Sequence, residues 1–478
     1  MKPQPNAICT LLPALLLGAT ALAQAPGANW SLTLNTGNPP VRRENPGAAS
    51  ATAMYVFGGQ SGNSGGAPMN DLWSFDGTAW TQLNPDGDPS APPQRVQAAV
   101  AWDFTTNQLV VFGGRDGTGI VFDDTWTWDP TSNTWTNQTL PGGPSARRFV
   151  SMAHDPATSS LVLFGGLDAA GNHLNDTWLL TGGIAWTQMS PSNVPSTRRQ
   201  HHLVSRPDFG DVLMFGGQDA TLSSPTKWRV DTWQWSGADW SLIPTTQVPS
   251  GQVANDAAYD ELRQRVVLAG GNGTGGQPTG IISEFDSITN DWVLRPTDPG
   301  IFKVSRYFAG YISSLGKTYK VSGQALNPLA PNTNTYEFQS DVVAATTSYG
   351  SSCTGPGGAL TLAADNLPWT ERTFSATCTN LGTGSLALGV FGTSMQSTPL
   401  SPLLPQAGAG CLLLNDAAVL TGPSVVTTGE ATVTLPIPAD PMLAGLNVQV
   451  QVAELVFTGA GWTGLHTSNG LDLTIGAL

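Results

Sequence analysis

Between Cys9 and Cys353 the sequence contains no cysteine, and no CxxC spacing occurs anywhere in its 478 residues. A zinc site is therefore not expected. Charge is scarce as well: only 11% of residues are Asp, Glu, Lys or Arg, and the balance is −14. That acidity argues against nucleic acid or an anionic membrane surface as a partner, and it favours solubility. Histidine is rare, five in all, and His154 and His173 lie in separate segments, so no metal-ligand spacing emerges. Paired carboxylates, a nucleophile elbow, a phosphate-cradling loop and calcium-loop spacing are all missing. The residues thus point to no cofactor and lean away from catalysis.

What is plentiful is glycine, 55 residues, and proline, 36, too many breakers for a helical fold. The glycines are ordered. Doublets stand at Gly58-Gly59, Gly113-Gly114, Gly165-Gly166, Gly216-Gly217 and Gly270-Gly271, with a weakened sixth at Ser322-Gly323. Successive steps are 55, 52, 51, 54 and 52 residues, and such a period indicates a propeller or repeat array. Each doublet ends a short apolar run, such as Met54 to Phe57 or Leu161 to Phe164, with the composition of a buried strand. Two glycines there suit a backbone at positive φ that approaches a neighbour closely.

A variable loop follows each doublet, then Asp71-Leu72-Trp73, Asp124-Thr125-Trp126, Asp176-Thr177-Trp178, Asp231-Thr232-Trp233 or Ser283-Glu284-Phe285. A second aromatic follows at Trp80, Trp135, Trp186, Trp240 and Trp292. The alternation has period two, which marks strands with one buried face. With the extended run upstream of each doublet, every unit holds four strands, the content of one propeller blade. These residues, from about Trp30 to Phe338, resemble the kelch repeat, which implies an all-β, six-bladed propeller. Asn29-Trp30-Ser31-Leu32 copies Asp239-Trp240-Ser241-Leu242, so the N-terminal strand is expected to close the ring as outer strand of the last blade.

Residues 1–23 read as a secretory signal: Lys2, an apolar run from Ile8 to Leu22, then small residues. The expected organisation is that signal, a propeller over residues 28–342 and a C-terminal β-sandwich over 348–478. The expected location is extracellular, at the cell surface or in the periplasm, with no membrane span once the signal is removed, and a monomer by default. The C-terminal part lacks the repeat and shows short alternating runs such as Thr432 to Ile437. Cys353, Cys378 and Cys411 allow three single pairings. Around Tyr349 to Cys353, Gly410-Cys411 and Ser468 to Leu471 this part resembles a C-terminal β-domain of secreted bacterial proteins, and that resemblance favours Cys353 with Cys411.

Galactose oxidase and its relatives place copper on a kelch propeller beside a cysteine-linked tyrosine. The cysteine-free stretch here excludes that chemistry from what the resemblance implies.

Arg95, Arg147 and Arg198 each lie 18 residues before a doublet, and Arg42 and Arg306 lie 16 before theirs. Rotation would bring all five to one mouth of a central channel, where a cationic ring could hold an anion. The structural alternative is that they bind carbonyls or acids between blades. His201 or His202 faces the channel, since strand neighbours point to opposite sides. The recurring outer tryptophans are inter-blade core, whereas the non-recurring Trp102 and Trp228 are ligand candidates.

The leading functional expectation is a secreted binding protein that recognises a protein or glycan through one loop-rich face. A second is a kelch enzyme on acidic sugars, resembling sialic-acid mutarotases, with Glu44 or Asp256 as acid-base group. A third is a structural or adhesion component of the cell surface.

Overall fold

The computed structural model describes residues 29–32, 42–43, 46–61, 66–138, 141–219, 221–223, 227–249, 257–269, 282–295, 304–305, 308–321, 324–325, 335–339 and 344–476, apart from 371, 402, 409, 418, 439–442 and 459–460. The chain divides into one unit over Trp30–Gln339 and a second that contains Ser340–Leu478. Both are β-structures, and the described residues hold no α-helix.

The first unit contains six sheets of the same plan, in which strands consecutive in sequence pair antiparallel. The second sheet shows it: Ala99–Asp103, Gln108–Phe112, Thr125–Asp129 and Thr134–Asn137 pair in sequence. The sixth runs Phe308–Ile312, Lys317–Val321, Thr335–Gln339, and its outermost strand is Asn29–Leu32 from the chain's start. The innermost strands touch in succession, Gly47–Ala49, Ala99–Asp103, Ser151–Asp155, Arg199–Arg206, Ala257–Asp260 and Phe308–Ile312, and the last touches the first.

The residue types follow from this fan. Neighbouring sheets are close near the axis and diverge outward, so the inner strands carry Ala98, Ala99, Ala101, Ala153, Ala258 and Ala309 while the rims need indoles. The second strand of each sheet has neighbours on both faces. Leu109, Val110, Val111 and Phe112 are all fully buried and do not alternate with polar residues.

The outer tryptophans also stitch sheet to sheet. Trp186, Trp240 and Trp292 each donate an indole N–H to a threonine of the preceding sheet: Thr125, Thr177 and Thr232, all at 2.9 Å. Trp80 of the first sheet makes the same bond to Thr335 of the sixth, at 3.0 Å. Where the first sheet has Leu72 in place of that threonine, Trp135 bonds Asn84 Oδ1 instead, at 3.0 Å.

The first four doublets do what their composition suggests, all eight glycines having positive φ, while Gly270-Gly271 and Ser322-Gly323 lie outside the described residues. Gly113 and Gly114 have φ of 68° and 91°. A Cβ on Gly113 would meet the Arg147 carbonyl at 2.5 Å, and one on Gly114 the Val96 carbonyl at 2.8 Å. At Gly113 the strand arriving for the next sheet, and at Gly114 the segment entering its own sheet, occupies the space a side chain would need.

In the second unit a seven-stranded and a three-stranded sheet share one core. Phe374, Ala376, Val433 and Leu435 of Thr373–Thr379 and Ala431–Pro436 face Ala387, Phe391, Val450, Val452 and Leu473 of the larger sheet. Cys353 and Cys411 form a disulfide, and Cys378 is a buried thiol, which burial pushes up to about 12. No helix among the described residues is long and apolar enough to cross a membrane.

Candidate functional site

Arg95, Arg147 and Arg198 occupy one repeated position and are all but fully buried. Each backbone carbonyl accepts a bond from the preceding sheet. Gly59, Gly114 and Gly166 donate their N–H groups to the carbonyls of Arg95, Arg147 and Arg198. Each side chain belongs to its own sheet. Arg147 Nη1 and Nη2 grip Asp176 at 2.7 and 2.8 Å, Nη1 also reaches the Gly165 carbonyl, and Nε reaches the Ser145 carbonyl. Arg95 grips Asp124 at 2.6 and 2.7 Å, and Arg198 grips Asp231 at 2.8 and 2.7 Å.

The same carboxylates accept the indole N–H of Trp126, Trp178 and Trp233. Burial alone would raise the carboxyls of Asp176 and Asp231, but their arginine partners outweigh it and hold both below the usual aspartate range.

These three arginines are therefore staples between sheets, with their guanidiniums spent on carboxylates and carbonyls. They do not line up as a ring of cations offered to a ligand. Arg42 lies in the strand Arg42–Arg43, whose backbone pairs with Gln60 and Ser61, and its side chain is outside the described residues. Arg306, Glu44 and Asp256 are outside them too.

The innermost strands of all six sheets enclose a cavity of about 300 Å³. His201 and His202 both lie on its wall. His201 is 4% exposed, packs edge-on against Phe164, and is held well below the usual histidine range by burial, with Arg198 and His202 adding to it. Trp102 is core rather than an open platform, stacked on Tyr55 at 4.9 Å and 8°. Trp228 is half-buried beneath Lys227.

At the doublet end of this cavity the structure shows residues that sequence reasoning passed over. Gln97, Phe149 and Gln200 each sit two residues after a stapling arginine, and each has positive φ: 63°, 54° and 56°. A non-glycine residue in that region stores strain and is common where a fold builds a site. Here it lets neighbouring sheets bond across the axis, Phe149 N–H to the Gln97 carbonyl at 2.9 Å and Gln200 N–H to that of Phe149 at 3.0 Å.

The same turn brings Arg148 and Arg199 against Phe149, their guanidinium carbons 5.6 and 5.3 Å from its ring centre. Arg199 is held below the usual arginine range by burial and by the like charge of Arg148, and its buried Nε has no hydrogen-bond partner. The sequence did carry a signal for this, the pairs Arg147-Arg148 and Arg198-Arg199: strand neighbours point apart, so only one of each pair can be a staple.

Around this end, apolar side chains are exposed on several loops: Ile120, Val194, Leu222, Val230 and Val248. No group of three or more metal-ligating side chains occurs among the described residues.

Residues 23–142 and 78–239 match the family described as the KLHDC2/KLHL20/DRC7 Kelch-repeats domain. An F-box/kelch-repeat protein of Arabidopsis thaliana is 26% identical over 220 residues, 42% of this chain and 43% of that protein. The leucine-zipper-like transcriptional regulator 1 homolog of Drosophila melanogaster is 28% identical over 253 residues, 48% of this chain and 24% of that protein. The alpha chain of the flagellar outer-arm dynein of Chlamydomonas reinhardtii is 24% identical over 299 residues, 58% of this chain and 6% of that protein. The chain thus spans less than half the length of each of these relatives.

Proposed function

We propose that the chain, whose residues 23–239 match a kelch-repeat family, is a kelch β-propeller and a binding protein that captures a carboxylate of a partner protein between Arg148 and Arg199. The observation that carries this reading is the stack of two guanidiniums on Phe149 at the doublet end of the cavity. Like charges brought together and partly desolvated cost free energy that a bound anion recovers, and a guanidinium fork matches a carboxylate in shape. The exposed apolar loop tips around them supply the area a protein interface needs, and their variety from repeat to repeat gives selectivity.

The platform is a six-bladed ring whose last blade takes its outer strand from Asn29–Leu32. The succession of touching inner strands and the Trp80–Thr335 bond support this reading. The protein works outside the cytoplasm, a reading supported by the apolar stretch near its N-terminus and by the Cys353–Cys411 disulfide.

Selection of a random peptide display library on the purified protein tests the binding role. Enriched peptides should carry Asp, Glu or a terminal carboxylate, and should bind the Arg148→Ala/Arg199→Ala variant at least tenfold more weakly. Enrichment without carboxylates, or equal affinity for the folded variant, would overturn the assignment. Sialic acid, titrated in parallel, checks whether an acidic sugar competes for the same place.

A further inference from the structure

The opposite end of the cavity has different chemistry. There the inner strands pass into short turns, and the wall includes Phe104, Tyr259, Glu261 and Tyr311. Glu261 is half-buried, and among the described residues it makes no ion pair or hydrogen bond. Its carboxyl is raised above the usual glutamate range by burial and then by its neighbours Asp208 and Asp260. The nearby cation Arg263 is already committed to Asp260 and Glu284, each at 2.8 Å. Asp208 accepts the Tyr259 hydroxyl at 3.2 Å. Phe104 is 50% exposed and meets His154 edge-on at 5.4 Å, and His154 Nδ1 faces Asp103 at 3.6 Å.

Deeper in the same cavity lies a second uncommitted group. His201 is buried, burial holds it well below the usual histidine range, and neither ring nitrogen makes a hydrogen bond of good geometry. Between the two levels the wall includes the small apolar residues Ala101, Ala153, Ala258 and Ala309.

We propose that this turn-side end of the cavity binds an ammonium group carried on a slim alkyl chain. The ammonium sits against Glu261 among the rings of Tyr259, Tyr311 and Phe104, which present negative faces to a cation. The methylenes pack along the alanine-lined wall. Six residues of chain separate His201 from Pro207 at the mouth, roughly 20 Å at ~3.3 Å per residue, so only a long ligand reaches the imidazole. This chemistry is shared by free alkylamines and by lysine side chains of a protein. The site is independent of the carboxylate reading at the doublet end.

Calorimetric titration of the full-length protein at pH 7 tests it, with pentylamine, pentanol and N-acetyl-lysine amide as probes. Pentylamine should bind at least tenfold more tightly than pentanol, and Glu261→Gln should remove that preference while Arg148→Ala/Arg199→Ala leaves it intact. Asp208→Asn, a change on an exposed turn, should weaken pentylamine by a smaller factor. Binding of N-acetyl-lysine amide as well as pentylamine points to a lysine side chain as the natural group, and pentylamine alone to a free amine. Equal affinity for pentylamine and pentanol overturns the proposal, as does binding unchanged in Glu261→Gln, or failure of both cations to bind at millimolar concentration. Loss of peptide binding in the arginine variant, with pentylamine binding kept, separates the two ends.

Discussion

The two ends of the central cavity are built by the same inner strands and differ in chemistry: Arg148 and Arg199 stand against Phe149 at one end, and Glu261 lines the other. At the doublet end the chain crosses from one sheet to the next, and the crossing is held by buried arginines on aspartates, with Arg148 and Arg199 packed against Phe149 nearby. At the turn end the chain folds back within one sheet. The turns are capped by acids such as Asp103, which accepts from Thr105 N–H and Thr106 hydroxyl, and Asp155, which accepts from Ala157 N–H and Thr158 hydroxyl. Crossing needs donors aimed at doublet carbonyls; tight turns need acceptors for exposed N–H groups. The polarity of the cavity therefore follows from how the chain is connected, and a ligand would inherit it.

The largest effect should come from Arg147→Ala. It leaves Asp176 without its partner, and the expected loss is about 3 kcal/mol, the low end for a buried pair because Asp176 keeps 23% of its side-chain exposure. Denaturant melts followed by tryptophan fluorescence read it directly. A loss below about 1 kcal/mol would mean that the staples do not hold the doublet end together. Gly114→Ala at the same crossing should cost about 2 kcal/mol, from its positive φ and the Val96 carbonyl. Thermal melting tests this, and a neutral result would show that the Val96 segment can move aside.

Acidification should separate the ends by sign. Asp176 titrates below the usual aspartate range when folded, so its contribution is present above that range and is lost as pH falls through the lowered value. Glu261 titrates above the usual glutamate range when folded. Its unfavourable contribution is present at neutral pH and is relieved as pH falls through the raised value. Relative to Glu261→Gln, the wild type should gain stability on acidification in that interval. Relative to Asp176→Asn, it should lose stability at lower pH. Parallel slopes for both pairs would erase the contrast.

The smallest effect belongs to Arg199→Gln, one residue from a staple. With no buried acid to abandon and Arg148 close by, stability should stay within about 0.5 kcal/mol of wild type. A drop comparable to Arg147→Ala would make Arg199 structural and remove it from the binding site.

Much of this was legible beforehand because a repeat reports each position several times. The doublets marked the crossings, and the recurring Trp80, Trp135, Trp186 and Trp240 marked the inter-sheet contacts. The odd residue out was informative as well: Leu72 breaks the threonine rule, and Trp135 turns to Asn84. The arginines divided the two readings offered for them. Spacing placed Arg95, Arg147 and Arg198 together, but spacing is the same for a staple and for a ligand contact.

The sequence by itself determined the all-β architecture, the repeat and its register, because glycine conformation and period-two burial are local constraints that a chain cannot hide. Which arginine of each adjacent pair is buried on an aspartate was decided only by the tertiary structure, since the partner lies 29 or 33 residues away. The left-handed turns at Gln97, Phe149 and Gln200, and the uncommitted Glu261 at the far end, were likewise settled there. Such positions depend on how sheets meet around an axis, and no single strand contains that information.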